Sequence, residues 1–169
     1  LKAIKNNINI YALHTNLDNH PKGVNFQISN YLELKNTTIL IPKKDFTAFD
    51  VVKIQLTALK NNNNPLVDSG IKQVWLFAHP DNKKVTGPYE RFRIMIYGAQ
   101  YNLLLEHTSH KISLIMNSPK KYIYGVEILT KNKKLFFYEW HLEKGNNKDC
   151  NDCWFTSAVS IPANQGNSI

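Results

Sequence analysis

From Phe49 to Ile96 the apolar positions repeat at intervals of three and four residues, and beyond His110 they fall on every second residue. A period of about 3.6 lines one face of a helix, whereas a period of two lines one face of a strand. Phe49, Val52, Leu56 and Leu59 therefore predict an amphipathic helix, closed by the asparagine run 61–64 and Pro65. Ile71, Val74, Trp75 and Ala78 predict a second helix. It stops at His79-Pro80, because a residue before proline is pushed out of helical geometry. A third starts after Thr86-Gly87-Pro88, with Thr86 as its cap, proline in its first turn, and Phe92, Met95 and Ile96 facing inward.

After His110, Ile112, Leu114 and Met116 alternate with Ser113, Ile115 and Asn117 up to a turn at Pro119-Lys120. Residues 122–130 and 134–143 form two long strands joined at Lys131-Asn132-Lys133, and residues 154–161 form the last. Helices followed by an antiparallel meander define an α+β domain over residues 45–169, with helices packed on one concave face of a curved sheet. Residues 1–44 read differently: apolar runs at 8–13 and 38–41, the latter stopped by Pro42, flank a helical stretch at 24–34. That is a βαβ appendage, which cannot bury its own apolar surface alone.

Hydrophobic residues make up 43% of the 169 and charged residues 20%, enough to offset the entropy of ordering one core but not two full domains. The formal charge of +8 favours an anionic partner where lysines gather on one face. Here they are scattered in short clusters, and only Arg91 and Arg93 offer the forked phosphate contact, so a nucleic-acid partner is not expected. No run approaches the roughly 20 apolar residues of a bilayer span, and residues 1–10 lack a secretory core, so a cytoplasmic location with no membrane partner is expected. Cys150 and Cys153 lack a second pair of soft ligands and a following helix, so two free thiols are expected.

Candidate chemistry is sparse. His79-Pro80-Asp81-Asn82 reads either as an imidazole beside a carboxylate or as a simple helix stop. The aromatics of 136–140 divide between the two faces of their strand, so one set is core. Tyr101, His107, Tyr138 and Trp140 are the polar-tipped residues expected around a pocket. No nucleophile and base set is legible, so no catalytic residue is assigned and enzymatic activity stays open.

The segments Gln55-Leu56-Thr57-Ala58-Leu59, Phe77-Ala78-His79-Pro80-Asp81-Asn82, Thr86-Gly87-Pro88-Tyr89-Glu90-Arg91-Phe92 and Cys153-Trp154-Phe155-Thr156 resemble an uncharacterised family with a nuclear transport factor 2-like fold. That resemblance implies a cone-like fold with a pocket between helices and sheet. Ile10-Tyr11-Ala12-Leu13-His14-Thr15-Asn16-Leu17-Asp18, followed by Gly23-Val24-Asn25, resembles the NGG-interacting factor 3 family, which is built around a pair of metal ions and described as GTP cyclohydrolase-like. The resemblance implies Asp18 as a metal ligand with His14 close by. Asp18 and Asn16 serve equally well as turn residues bonding the local backbone. The family's other ligands, a histidine pair and a His and Glu four residues apart, have no counterpart here; His107 with Glu106 and His141 with Glu139 lack the spacing. Residues 1–44 are therefore expected to be a fragment, or part of a fusion, holding at most part of a divalent-metal site. The reading preferred from the sequence is a non-catalytic binding or dimerisation module, a homodimer without a firm cofactor. The alternative is a metal-dependent hydrolase related to the dinuclear family.

Overall fold

The computed structural model describes residues 40–167. The chain divides into two units, Leu1–Thr37 and Thr38–Ile169, and the described residues belong to the second. The strand and helix expected at 8–13 and 24–34, with His14 and Asp18, lie outside the described residues. Of the strand expected at 38–41, the described Leu40 and Ile41 are irregular chain. Leu40 is held by the Gln73 side chain, whose Oε1 accepts from its N–H at 2.9 Å and whose Nε2 donates to its carbonyl at 2.6 Å. A side chain thus satisfies the backbone groups that a strand neighbour would otherwise pair.

Helix α1, Ala48–Lys60, opens with a capping box: the Thr47 hydroxyl accepts from the Asp50 N–H at 3.1 Å, and the Asp50 carboxylate accepts from the Thr47 N–H at 3.0 Å. Its buried stripe is Ala48, Val51, Val52, Gln55, Leu56 and Leu59. Phe49, counted in that stripe from the spacing, is instead 43% exposed and packs edge-on against Tyr124. Helix α2, Ser69–Leu76, crosses α1 closely at Gly70, where a Cβ would stand 2.2 Å from the Ala58 carbonyl oxygen. Only glycine permits that approach.

The second helix ends before His79-Pro80, as expected, and the same dipeptide also starts a helix that the sequence pattern did not announce. Pro80–Thr86 forms the short helix α3, with proline at its first turn and His79 as its cap, Nδ1 accepting from the Asp81 N–H at 3.2 Å. Proline costs nothing there, since a first-turn N–H has no helical partner. Thr86 closes α3 rather than capping the next helix, its hydroxyl donating to the Asn82 carbonyl at 2.8 Å. Helix α4, Tyr89–Tyr97, follows with Phe92 and Ile96 buried, and Asn102–Leu104 is a single 3-10 turn.

The sheet runs β1 (Ser109–Asn117), β2 (Lys121–Leu129), β3 (Lys134–Gly145) and β4 (Cys153–Val159) in antiparallel order, with β5 (Ala163–Asn167) beside the first half of β3. Strand β5 was absent from the sequence reading. Bulges between Leu114 and Met116, His141 and Leu142, and Leu135 and Phe136 bend the strands. Each adds local twist, and together they curve the sheet around the helices. Tyr124, Val126 and Ile128 of β2 and Tyr138, Trp140 and Leu142 of β3 are buried and meet the helices, which completes an α+β fold with one core. Cys150 and Cys153 form a disulfide, not the two expected thiols. Among the described residues no helix is long and apolar enough to cross a membrane.

Candidate functional site

Between α2 and α3 the chain touches the sheet. The His79 N–H donates to the Thr156 carbonyl, and the Thr156 N–H donates to the Phe77 carbonyl, both at 2.8 Å. This short parallel bridge fixes α3 over β4 and brings Thr156 beneath α1. Helices α1–α4 and strands β3 and β4 then line a half-open cavity of about 470 Å³.

Its walls are mostly apolar: Leu59, Val74, Ala78, Phe92, Met95, Ile96, Leu104 and Trp140 contribute, with Val85, Ala158 and Val159 towards the outside. At one end lies a buried polar trio. Gln55, Trp140 and Thr156 are 0%, 1% and 3% exposed. The Trp140 indole N–H donates to Gln55 Oε1 at 2.9 Å and to Thr156 Oγ1 at 3.1 Å, while the Thr156 hydroxyl donates to the same Gln55 oxygen at 2.6 Å. An indole nitrogen only donates, so this contact fixes which end of the amide faces it. The Gln55 nitrogen in turn donates to the Val74 carbonyl at 3.3 Å. Every group is paired without any charge, which is what a low-dielectric interior demands.

Of the four residues named for a pocket, Tyr101 and Trp140 line this cavity; Tyr138 and His107 do not. The Tyr101 hydroxyl donates to the Val159 carbonyl at 3.1 Å, and burial pushes its pKa up. Tyr138 donates to the Gln100 carbonyl at 2.9 Å, and burial raises its pKa well above the usual phenol value. His107 pairs with His110, Nε2 to Nδ1 at 2.7 Å, while its own Nδ1 lies 2.7 Å from the Leu104 carbonyl. A carbonyl can only accept, so His107 carries its proton on Nδ1 and accepts from His110. Burial, with His110 and Lys60 nearby, pushes the His107 pKa down to about 4, and burial lowers that of His110 too.

Sequence reasoning missed Gln55, Thr156 and the α3 wall. A signal existed for Gln55: it interrupts the apolar face of α1 between Val52 and Leu59, and an amide there needs buried partners. Nothing local marks Thr156, whose partners lie 101 and 16 positions away.

The candidate ligands His14 and Asp18 lie outside the described residues. Among the described residues no group of three or more His, Cys, Asp or Glu side chains is placed to hold a metal ion. The donor set of residues 40–167 therefore does not fit a metal centre by itself, and no chemistry is routed through one here.

The Duf34/NIF3 (NGG1p interacting factor 3) family matches residues 1–140, well past position 44, where the resemblance was bounded from the sequence. A GTP cyclohydrolase 1 type 2 homolog of Staphylococcus epidermidis (strain ATCC 35984) is 38% identical over 68 residues, 40% of this chain and 18% of that protein. The homolog of Staphylococcus aureus (strain MRSA252) is 37% identical over 67 residues, 40% of this chain and 17% of that protein. The aligned stretch is thus under a fifth of the length of these curated relatives. No solved structure matches the chain, and the resemblance of residues 45–169 to a nuclear transport factor 2-like family gains no support. The preferred reading as a non-catalytic binding or dimerisation module is corrected by these matches, which favour the alternative set beside it.

Proposed function

We propose, from the premise that this chain belongs to the Duf34/NIF3 family, that it is part of a metal-dependent hydrolase of the GTP cyclohydrolase-like kind. The observation that carries this reading is the segment from His14 to Asp18, inside the matched residues 1–140. A carboxylate and an imidazole four positions apart in the sequence offer a hard oxygen and a borderline nitrogen, donors suited to a first-row divalent cation. Such an ion, when bound, supplies charge to polarise a substrate oxygen and to acidify a water. His14 and Asp18 are two ligands of the four or more that such ions take, and no group of three or more His, Cys, Asp or Glu among residues 40–167 forms a centre by itself.

Metal content tests the reading. The purified chain, loaded with Zn²⁺ or Mn²⁺ and dialysed, is expected to retain about one ion, and Asp18→Ala to lose it. Retention of less than about 0.1 ion per native chain would end the proposal. The curated relatives are named for a reaction of GTP, so loss of that nucleotide in the metal-loaded protein, followed by chromatography, is the matching activity assay.

A further inference from the structure

We propose that the cavity beneath helices α1–α4 is a binding site for a neutral, mostly apolar small molecule. This site stands beside the metal-dependent reading of His14 and Asp18 and does not rest on it.

Three observations carry the proposal. The first is size: about 470 Å³ falls inside the range of roughly 300–1,000 Å³ typical of small-molecule sites. The second is charge. Asp81 is the one ionisable carboxylate among the lining residues; its side chain is 72% exposed and paired with Lys84 at 2.7 Å, which puts it at the mouth. An ionic ligand entering past it sheds its hydration and meets no counter-charge. A nucleoside triphosphate is excluded on that ground, which separates this cavity from the substrate named for the curated relatives.

The third is the valence of the polar trio. Gln55 Oε1 accepts from both Trp140 and Thr156, so its two lone pairs are used. The amide nitrogen carries two hydrogens, of which one goes to the Val74 carbonyl. Gln55 is itself 0% exposed, so the trio closes the inner wall with mutually paired, neutral groups and presents no charge to a ligand. Val85 and Ala158, exposed on α3 and β4, stand at the opening through which such a molecule passes.

The probe is Prodan, an uncharged naphthalene ketone whose emission shifts to the blue in apolar surroundings. Titrated into the full chain, it is expected to bind one per chain, saturably, with blue-shifted emission and quenching of tryptophan fluorescence. Val85→Trp and Ala158→Trp narrow the mouth from exposed positions, and each is expected to weaken binding at least about tenfold with an unchanged melting temperature. Binding is expected to be the same with a chelator as with added Zn²⁺, which keeps its outcome distinct from that of the metal assay. The sulfonated dye 8-anilinonaphthalene-1-sulfonate is expected to bind at least about tenfold more weakly. The proposal is overturned by absence of saturable Prodan binding, by indifference to both mouth substitutions, or by tighter binding of the anionic dye at the same site.

Discussion

Two polar clusters fasten the helices of this unit, and they follow opposite rules. Gln55, Trp140 and Thr156 tie α1 to β3 and β4 in the interior with neutral groups alone. Asp68, Arg93 and Tyr97 tie the start of α2 to α4 nearer the surface through charge: Arg93 Nη1 donates to the Asp68 carboxylate at 2.9 Å, the Tyr97 hydroxyl donates to the same carboxylate, and Asn62 adds a third donor at 3.2 Å. These donors, Tyr97 first, hold the Asp68 pKa below the usual carboxylate value. Inside, an ion pair must recover its desolvation cost; outside, water has already met most of it. The interior cluster therefore buys geometry with neutral dipoles, and the outer one adds modest, salt-sensitive attraction.

Removing the shared member of the interior cluster separates the two most sharply. Trp140→Ala takes away a fully buried side chain and the donor that orients Gln55, and it enlarges the cavity. The expected loss is about 3–5 kcal/mol, measured by urea unfolding. A loss below about 1 kcal/mol would mean that the trio does not hold α1 to the sheet.

That cluster also shows where sequence reading stops. The spacing of Val52, Leu56 and Leu59 announced α1, and the alternation through 122–143 announced β2 and β3, because both signals are local and periodic. His79-Pro80 announced only a stop, although the same dipeptide ends one helix and begins another, and only the Asp81 N–H bonding back to His79 marks the start. Strand β5 was invisible because Asn164, Gln165, Gly166 and Asn167 carry none of the apolar alternation that marks a half-buried strand. The cavity was legible only in part. Trp140 and Tyr101 declared themselves by type, whereas Gln55 and Thr156 depend on pairings across 101 residues that no local window contains.

If neutrality is the rule inside, it extends to His107, buried against Leu104 and His110 with Lys60 and Lys53 adding positive charge to the pair. Its pKa falls from 6.5 to about 4. Between those values the unfolded chain takes up a proton that the folded chain refuses, so stability is full above about 6.5 and is lost as the pH falls towards 4. The loss is roughly 3 kcal/mol, and His107→Leu is expected to flatten the profile over that window. An imidazole titration by NMR that places His107 near 6.5 in the folded protein would break the rule.

The smallest effect belongs to the outer cluster and tests the comparison from its other side. Arg93 is partly exposed and bridges Asp68 and Glu90, the latter an ordinary helical pair three residues away. Arg93→Ala leaves Asp68 still bonded to Tyr97 and Asn62, so no unpaired buried charge results. The expected cost is about 0.5–1 kcal/mol at low salt, fading near 1 M NaCl where the screening length shrinks to about 3 Å. The cost of Trp140→Ala should hold across the same salt range, because no charge is lost with that side chain. If Arg93→Ala instead cost more than about 2 kcal/mol and ignored salt, the outer cluster would be working by packing and geometry, and the two clusters would differ in position but not in kind.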